Sequence, residues 1–216
     1  MLLGCGAIGG YLADLLAKNG AGFLNGKLIL SDDDTLSVGN IGRHLLGFSD
    51  LKRPKTEALR DHLVNHYPRI SIDIADNNLL SGSRAKLIID ATGNQSLSLY
   101  LSEQRVSGIL SAPIVFTWVA GAGCGAQAYL MHNNKNACLH CLDYATPGGS
   151  ASVMRQEYTF QLKNAAGSCG DWLVPFSASA AIHAAALALD LAAGWANGRP
   201  NPLFRSITLD TQKVKQ

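Results

Sequence analysis

The sequence has little charge and few aromatic residues, and these shortages exclude several classes of protein. Only 16% of its 216 residues are charged and 7% are aromatic, whereas 47% are hydrophobic. It contains no run rich in lysine and arginine and no basic patch interleaved with aromatic residues, which argues against a nucleic-acid partner. It also shows no internal repeat and no low-complexity run. The composition predicts a single domain over residues 1–216 with a sizeable buried core.

Signals for export or membrane insertion are also lacking. No charged region precedes an apolar run near the N-terminus, so we expect no signal peptide. The longest apolar stretch, residues 178–193, is rich in alanine and carries His183 and Asp190, which predicts a buried helix instead of a membrane span. The odd number of cysteines, five with one close pair, does not suit a disulfide framework. Together these features predict a cytoplasmic protein without a membrane partner.

Apolar runs and helical periodicities alternate along most of the chain. The runs predict strands at 27–31, 70–74, 87–91, 113–120, 126–131 and 204–209, and the periodicities predict helices at 11–19, 54–67, 95–105 and 177–195. This alternation predicts an α/β protein with a doubly wound, Rossmann-like, mostly parallel sheet. Residues 132–175, which include several cysteines, are predicted to form a crossover segment over one end of the sheet, with 153–162 as its regular element.

A glycine loop stands at the start of the chain. Residues 4–9 read GCGAIG, in which Gly4 permits a tight turn, Gly6 allows a phosphate to approach the backbone, and Gly9 lets helix and strand pack closely. Ala7 and Ile8 lie in this loop, and the helix that follows it presents free N–H groups that favour an anion. The loop predicts a nucleotide site. Only three residues precede it, so we expect a clipped first strand and a chain that is a fragment, a domain or a shortened gene product.

Acidic and basic residues follow the second predicted strand in an ordered set. Asp32 ends that strand, where a carboxylate can accept hydrogen bonds from ribose hydroxyls. Arg43 and Lys55 are cations of the kind that hold a polyphosphate and offset its charge. An NAD(P)-binding oxidoreductase, the main alternative, has a use for Asp32 but none for these two cations. A nucleotide-binding homologue without catalytic activity is a third interpretation.

The stretch LILSDDDTLSVGNIGRHLLGFSDLKRPKTEAL, residues 28–59, resembles the ubiquitin-activating-enzyme family and its bacterial relatives ThiF, MoeB and HesA, in a divergent bacterial form. The resemblance implies ATP and Mg²⁺ as cofactors and the adenylation of the C-terminal carboxylate of a ubiquitin-like or sulfur-carrier protein that ends in Gly-Gly. It also implies a homodimer. Five residues match the family pattern at the same spacing: Asp32, Asp34, Asn40, Arg43 and Lys55. The resemblance implies that Asp32 holds the ribose. It also implies that Asn40, Arg43 and Lys55 hold the phosphates.

The sequence departs from that family pattern at three positions. Gly93 stands where the family usually has an aspartate that helps to bind Mg²⁺, so Asp90 is the candidate to replace it. His44 replaces the usual glutamine after the arginine. Lys52 replaces the usual glycine before Lys55.

Cys138 and Cys141 form a C-x-x-C motif, which is typical of a zinc half-site or a redox pair. A redox pair requires a helix N-terminus beside it, and the sequence indicates none there. A zinc ion requires further ligands, for which the candidates are Cys124, His132, His140 and Cys169 or residues of a further C-terminal segment, and two thiols without a metal are the alternative. Cys5 and Cys124 have apolar or glycine-rich neighbours and are otherwise predicted to be packing residues.

Cys169 lies between small residues in the sequence Gly167-Ser168-Cys169-Gly170, just before the long predicted helix. In the resembling family a cysteine of this crossover segment accepts the activated carboxylate as a thioester. Small neighbours leave a thiol accessible, and the thiolate is the attacking species. Cys169 is therefore the candidate nucleophile, and a buried packing role is the alternative.

Overall fold

The computed structural model describes residues 1–75, 85–133, 135, 137–145 and 176–210. Within them one seven-stranded sheet is formed by β1 (Leu2–Leu3), β2 (Leu28–Ser31), β3 (Ile72–Ile74), β4 (Ile88–Asp90), β5 (Ile114–Ala120), β6 (Gly125–Met131) and β7 (Phe204–Thr208). The strand order is β3-β2-β1-β4-β5-β6-β7. The strands from β3 to β5 are parallel, and β6 and β7 are added antiparallel. The chain leaves β1 towards β2 and returns to pair β4 on its other side, which makes a topological switch point at β1.

Helices cover both faces of this sheet. They are α1 (Ala7–Lys18), α2 (Val38–Ile41), α3 (Lys55–His66), α4 (Gln95–Val106), α5 (Leu139–Ala145) and α6 (Ala178–Ala196), with two short 3₁₀ turns at Phe48–Asp50 and Gly121–Gly123. Neighbouring strand residues point to opposite faces, so Ile114 and Phe116 pack with α4 and α5 while Val115 packs with α1, α3 and α6. The result is a three-layer α/β sandwich with a core on each side of the sheet.

The alanine-rich helix α6 packs closely against the sheet. Its buried face consists almost entirely of alanines, and the Thr117 hydroxyl of β5 donates a hydrogen bond to the Ala184 carbonyl at 2.9 Å. Among the described residues, α6 is also the one helix whose length and hydropathy would suffice to cross a membrane. Its alanine face packs against β5, β6 and α1, as expected of a helix of the core, while residues on its other face, such as Ile182, are exposed.

The fold class and most of the elements agree with the sequence predictions, and one prediction beside the C-x-x-C motif is wrong. The structure places α5 directly after Cys138, where the sequence indicated no helix. This helix has only seven residues and no clear periodicity. It is held by tertiary contacts: Leu139 packs in the core beside α4, and its N–H donates to the Ser102 hydroxyl at 2.9 Å. The predicted element at 153–162 lies outside the described residues.

The connection between β2 and α3 folds back on itself. The Leu36 N–H donates to the Arg53 carbonyl at 2.9 Å, and the Lys52 N–H donates to the Leu36 carbonyl at 2.9 Å. The Lys55 N–H continues this pairing by donating to the Asp34 carbonyl at 3.0 Å. The pairing brings the first residue of α3 beside the acids at the end of β2, although 21 positions separate Lys55 from Asp34.

Lys52, which stands where the resembling family usually has glycine, occupies the turn of this connection with a φ of 65°. A side chain is strained in this left-handed region because its Cβ approaches the backbone. We expect Lys52→Gly to stabilise the fold by about 0.5–1 kcal/mol in urea unfolding, because glycine adopts positive φ without that strain. Lys52→Ala is the control, since it removes the charge and keeps the Cβ. An equal gain from both variants would contradict the backbone explanation.

Candidate nucleotide site

The candidate site lies at the carboxyl ends of the parallel strands, beside the switch point. The glycine loop follows β1, Asp32 follows β2, and Asp90 ends β4. Parallel strands end at one common edge of the sheet, so these three segments meet there. The Gly4 N–H donates to the Ser31 carbonyl at 2.8 Å and joins the first two segments directly.

The three glycines of the loop serve different purposes. Gly4 has a φ of 84°, and a Cβ on it would lie 2.8 Å from the Thr92 backbone. A Cβ on Gly9 would lie 1.8 Å from the Gly4 carbonyl oxygen, so this position requires glycine for packing. A Cβ on Gly6 would meet no atom within 4 Å. Gly6 is therefore not needed by the fold, and its bare backbone begins α1 where a phosphate could approach.

Asp32 connects the end of β2 to the glycine loop. One carboxylate oxygen accepts a hydrogen bond from the Cys5 N–H at 2.6 Å, and the other accepts from the Asp34 N–H at 2.9 Å. Hydrogen bonds from backbone N–H groups to a carboxylate are stronger than bonds between neutral partners. Asp32 thus fixes the position of the loop as well as standing where the sequence predicted a ribose ligand.

Lys55 is a buried cation next to these acids. The residue is 6% exposed, and its Nζ lies 2.6 Å from an Asp34 oxygen and 4.0 Å from an Asp32 oxygen. The Asp34 side chain is 69% exposed, whereas that of Asp32 is 10% exposed. The structure therefore brings together three of the predicted site residues, and places a positive charge beside the carboxylate that holds the glycine loop.

Arg43 lies over the ring of Phe176, with its Cζ 4.9 Å from the ring centroid. A guanidinium over an aromatic face is attracted by the ring and is held in a defined orientation. Phe176 in turn packs against Gly123, where a Cβ would lie 3.1 Å from the Phe176 Cβ. The sequence analysis missed Phe176. The available signal was an apolar residue directly before Ser177, whose hydroxyl accepts from the Ala180 N–H and caps α6.

Asn40 has a capping role in the structure. Its side-chain oxygen accepts hydrogen bonds from the Ser37 N–H and the Ser37 hydroxyl, each at 3.0 Å. These bonds form the start of the short helix α2, which leads to Arg43. The contact between Asn40 and a phosphate remains a prediction from the resemblance.

His44 joins the segment after α2 to the glycine loop, and the sequence analysis noted it only as a departure from the family pattern. Its Nε2 lies 2.8 Å from the Cys5 carbonyl oxygen, and its Nδ1 accepts from the Leu46 N–H at 3.0 Å. The residue is 5% exposed. Burial lowers the pKa of His44 and favours the neutral ring.

Asp90 has a structural role in the fold, and its role as a Mg²⁺ ligand stays a prediction. It is 2% exposed. One of its oxygens accepts from the Thr92 N–H at 3.0 Å and the Thr92 hydroxyl at 2.7 Å, and the other accepts from the Ser98 hydroxyl at 2.5 Å. These bonds join the end of β4 to α4. Both oxygens are thereby engaged, so we derive no reaction step through a metal at Asp90.

The thiols of Cys138 and Cys141 face each other, with their sulfur atoms 3.1 Å apart. The hydrogen bond from the Cys138 thiol lowers the pKa of the exposed Cys141 thiol. Across the described ranges, no group of three close metal-binding side chains includes either cysteine, and His140 pairs with Glu103 at 3.1 Å. These residues alone do not complete a zinc site. Cys5 and Cys124 are buried packing residues, and Cys169 lies outside the described residues.

The sheet order, the glycine loop and the acid after β2 define a Rossmann-like α/β protein. The profile of the ThiF family matches residues 1–215, and the chain belongs to this family. The chain is 36% identical, over 97% of its length, to the ATP-dependent ubiquitin transferase-like protein Cap2 of Pseudomonas aeruginosa (strain BWHPSA011 / Pa011). It spans 38% of the length of that relative. The predicted membership of the family is thereby confirmed.

Two further comparisons give a more distant sequence relative and a structural neighbour. Over 66% of its length the chain is 28% identical to the sulfur carrier protein ThiS adenylyltransferase of Escherichia coli K12, of which it covers 57%. The crystal structure of E. coli MccB with ATP superimposes with a TM-score of 0.73, over 99% of this chain and 60% of MccB. The sequence identity to MccB is 20%, so this match shows the shared fold alone.

We expect Gly9→Ala and Gly6→Ala to differ sharply in stability. The Gly9 variant forces a Cβ against the Gly4 carbonyl, which costs about 3 kcal/mol or more. The Gly6 variant adds a Cβ that contacts nothing, and its unfolding free energy should stay within about 0.5 kcal/mol of the original. Urea unfolding of both variants checks this expectation. Equal stabilities would show that the loop geometry described above is wrong.

Proposed function

We propose that this chain is the ATP-binding adenylation unit of a ubiquitin-activating-type enzyme, comprising residues 1–216 as one domain. Its substrate would be the C-terminal carboxylate of a ubiquitin-like or sulfur-carrier protein that ends in Gly-Gly. The observation that carries the proposal is the buried Lys55 beside Asp32 and the glycine loop. An NAD enzyme, the dinucleotide enzyme that an acid at Asp32 indicates, has no need of a cation there, whereas a polyphosphate does. The activities in the names of the ThiS adenylyltransferase and Cap2 relatives support the same function.

In the proposed reaction the substrate carboxylate attacks the α-phosphorus of ATP, and the bond to the leaving pyrophosphate breaks. The attack brings two anions together, so nearby positive charge lowers the barrier. Lys55 and Arg43 would supply that charge, and the free N–H groups at the start of α1 would hold phosphate oxygens. Asp32 would hold the ribose. Positioning of the two reactants is the other main contribution of the protein.

Lys55→Ala is expected to weaken ATP binding by about tenfold or more, because it removes a buried cation from the polyphosphate. Lys27→Ala is the matched control. It removes the same charge from an exposed lysine whose partner is Asp73, and should leave ATP binding unchanged. Calorimetric titrations with ATP and NADH measure both effects. Binding of NADH but not ATP by the original chain would support the oxidoreductase interpretation and contradict ours.

A nucleotide-binding protein without catalytic activity is the second candidate function. The bonds that engage both oxygens of Asp90, together with Gly93 in place of the family's aspartate, favour it, since they leave Mg²⁺ without an evident ligand at these two positions. Exchange of labelled pyrophosphate into ATP, dependent on a carrier ending in Gly-Gly, separates the two candidates. Adenylation requires this exchange, whereas simple nucleotide binding does not.

We propose in addition that Cys169 attacks the acyl adenylate, forming a thioester and releasing AMP. Cys169→Ala should then abolish a thioester that thiols reverse, while pyrophosphate exchange persists because adenylation precedes the transfer. Cys141→Ala, which removes an exposed thiol of lowered pKa, is the matched control and should keep the thioester. Gel electrophoresis with and without reductant measures both. A thioester that survives in the Cys169 variant and disappears in the control would identify Cys141 as the acceptor.

Several expectations from the sequence remain proposals. They are the homodimer, the cytoplasmic location, and a zinc ion held by Cys138 and Cys141 with ligands from outside the described residues. Mg²⁺ also remains a predicted cofactor, with no step of the reaction assigned to it.

A further inference from the structure

The His44 side chain forms a bridge between two segments that are 39 positions apart in sequence. On one side its Nε2 contacts the Cys5 carbonyl oxygen of the glycine loop at 2.8 Å. On the other side its Nδ1 contacts the N–H of Leu46 at 3.0 Å, which closes a local turn. We call this pair of contacts the His44 bridge. It fixes the backbone that directly follows Arg43 to the loop that directly follows β1.

The two contacts determine the protonation state of the ring. A backbone N–H can only donate, so Nδ1 must be the acceptor of the Leu46 bond and carries no proton. The Cys5 carbonyl oxygen can only accept, so Nε2 must carry the proton. Neutral imidazole with the proton on Nε2 satisfies both partners. The doubly protonated ring would place an N–H against the Leu46 N–H and break that contact.

The His44 ring packs closely against α1, so it has little room to move if one of its two hydrogen bonds breaks. A Cβ on Gly10 of α1 would lie 3.4 Å from His44 Cε1, which shows that the ring packs directly on that helix. The Tyr11 hydroxyl, also on α1, donates to the His44 carbonyl at 3.5 Å. The His44 ring and backbone therefore both lie against the first turns of α1, next to the glycine loop.

The charged groups around the ring act in both directions. Burial is the largest influence and lowers the pKa of His44, and the positive charge of Lys55 lowers it further. The Cys5 carbonyl bond and the carboxylates of Asp32 and Asp50 raise it. The net shift is downwards, so the folded protein holds the ring neutral below the pH near 6.5 at which a free histidine titrates.

We propose that His44 is a positioning residue of the nucleotide site, whose neutral ring holds the Arg43 segment against the glycine loop and releases it when the ring is protonated. This inference rests on the proposed function, because it takes ATP as the ligand that Arg43 and the loop hold together. It assigns a role to the position at which the chain departs from the family pattern. The release makes nucleotide affinity dependent on pH through this one side chain.

His44→Gln tests the proposal with a side chain that cannot titrate. A glutamine amide offers one donor and one acceptor, so it can bond to the Cys5 carbonyl and the Leu46 N–H as the ring does. We expect this variant to bind ATP within about threefold of the original chain at pH 8 and to lose less affinity at acidic pH. His44→Ala leaves both partners unbonded and should weaken binding about tenfold at pH 8, with a smaller difference from the original chain at acidic pH, where the original ring is itself protonated. ATP itself gains protons as the pH falls, and this affects its binding to the original chain and to the variant equally. The difference between the two proteins therefore reports on His44 alone.

The bridge is also measured without nucleotide. In NMR spectra of the original chain, the His44 ring should show the Nε2–H tautomer, and the Leu46 amide should shift with the same midpoint as the ring. In His44→Gln that amide should not titrate. An Nδ1–H tautomer, or equal loss of ATP affinity in the original chain and His44→Gln on acidification, would overturn the proposal. If the bridge appears in the spectra and the original chain binds no ATP, the proposed function fails and His44 is purely structural.

Discussion

The carboxylate of Asp32 is the contact on which the candidate site depends. It accepts the N–H of Cys5 at 2.6 Å and the N–H of Asp34 at 2.9 Å, and so it determines where the glycine loop and the acidic turn lie relative to each other. Lys55 approaches the same carboxylate only because the chain after β2 folds back from Asp34. Without Asp32, no single side chain would contact the glycine loop, the acidic turn and the buried Lys55 together.

Local signals in the sequence were sufficient for the sheet and the glycine loop. Continuous apolar runs indicate buried strands and glycines at fixed spacing indicate a tight turn, so β4, β5, β6 and the loop could be predicted directly. The contacts that assemble the site are long-range and leave no such pattern. The position of Phe176 under Arg43 and the bridge at His44 depend on how distant segments pack. Helix α5 escaped prediction for the same reason, because packing on α4 stabilises it and its own periodicity does not.

The departures from the family pattern at Gly93 and Lys52 have opposite effects on backbone strain. Gly93 has a φ of 67°, a left-handed conformation that glycine adopts without strain and that the family's aspartate tolerates better than most side chains. Lys52 has a φ of 65°, so the backbone there favours the family's glycine, and this chain carries the strained residue. The first change removes a chemical group without cost to the fold. The second costs stability and leaves the path of the chain to Lys55 intact.

The ion pair between Lys55 and Asp34 also affects which anions could bind at this site. Asp34 already neutralises the ammonium group at 2.6 Å, so an arriving anion exchanges with a resident carboxylate instead of meeting a bare charge. The free energy that the anion gains is only the difference between its own ion pair with Lys55 and the Asp34–Lys55 ion pair that it replaces. A singly charged ion such as chloride gains almost nothing from this exchange, whereas a polyphosphate, which reaches several donors at once, gains at each of them. Under the proposed function, the internal carboxylate would therefore favour polyphosphates over weakly charged competitors.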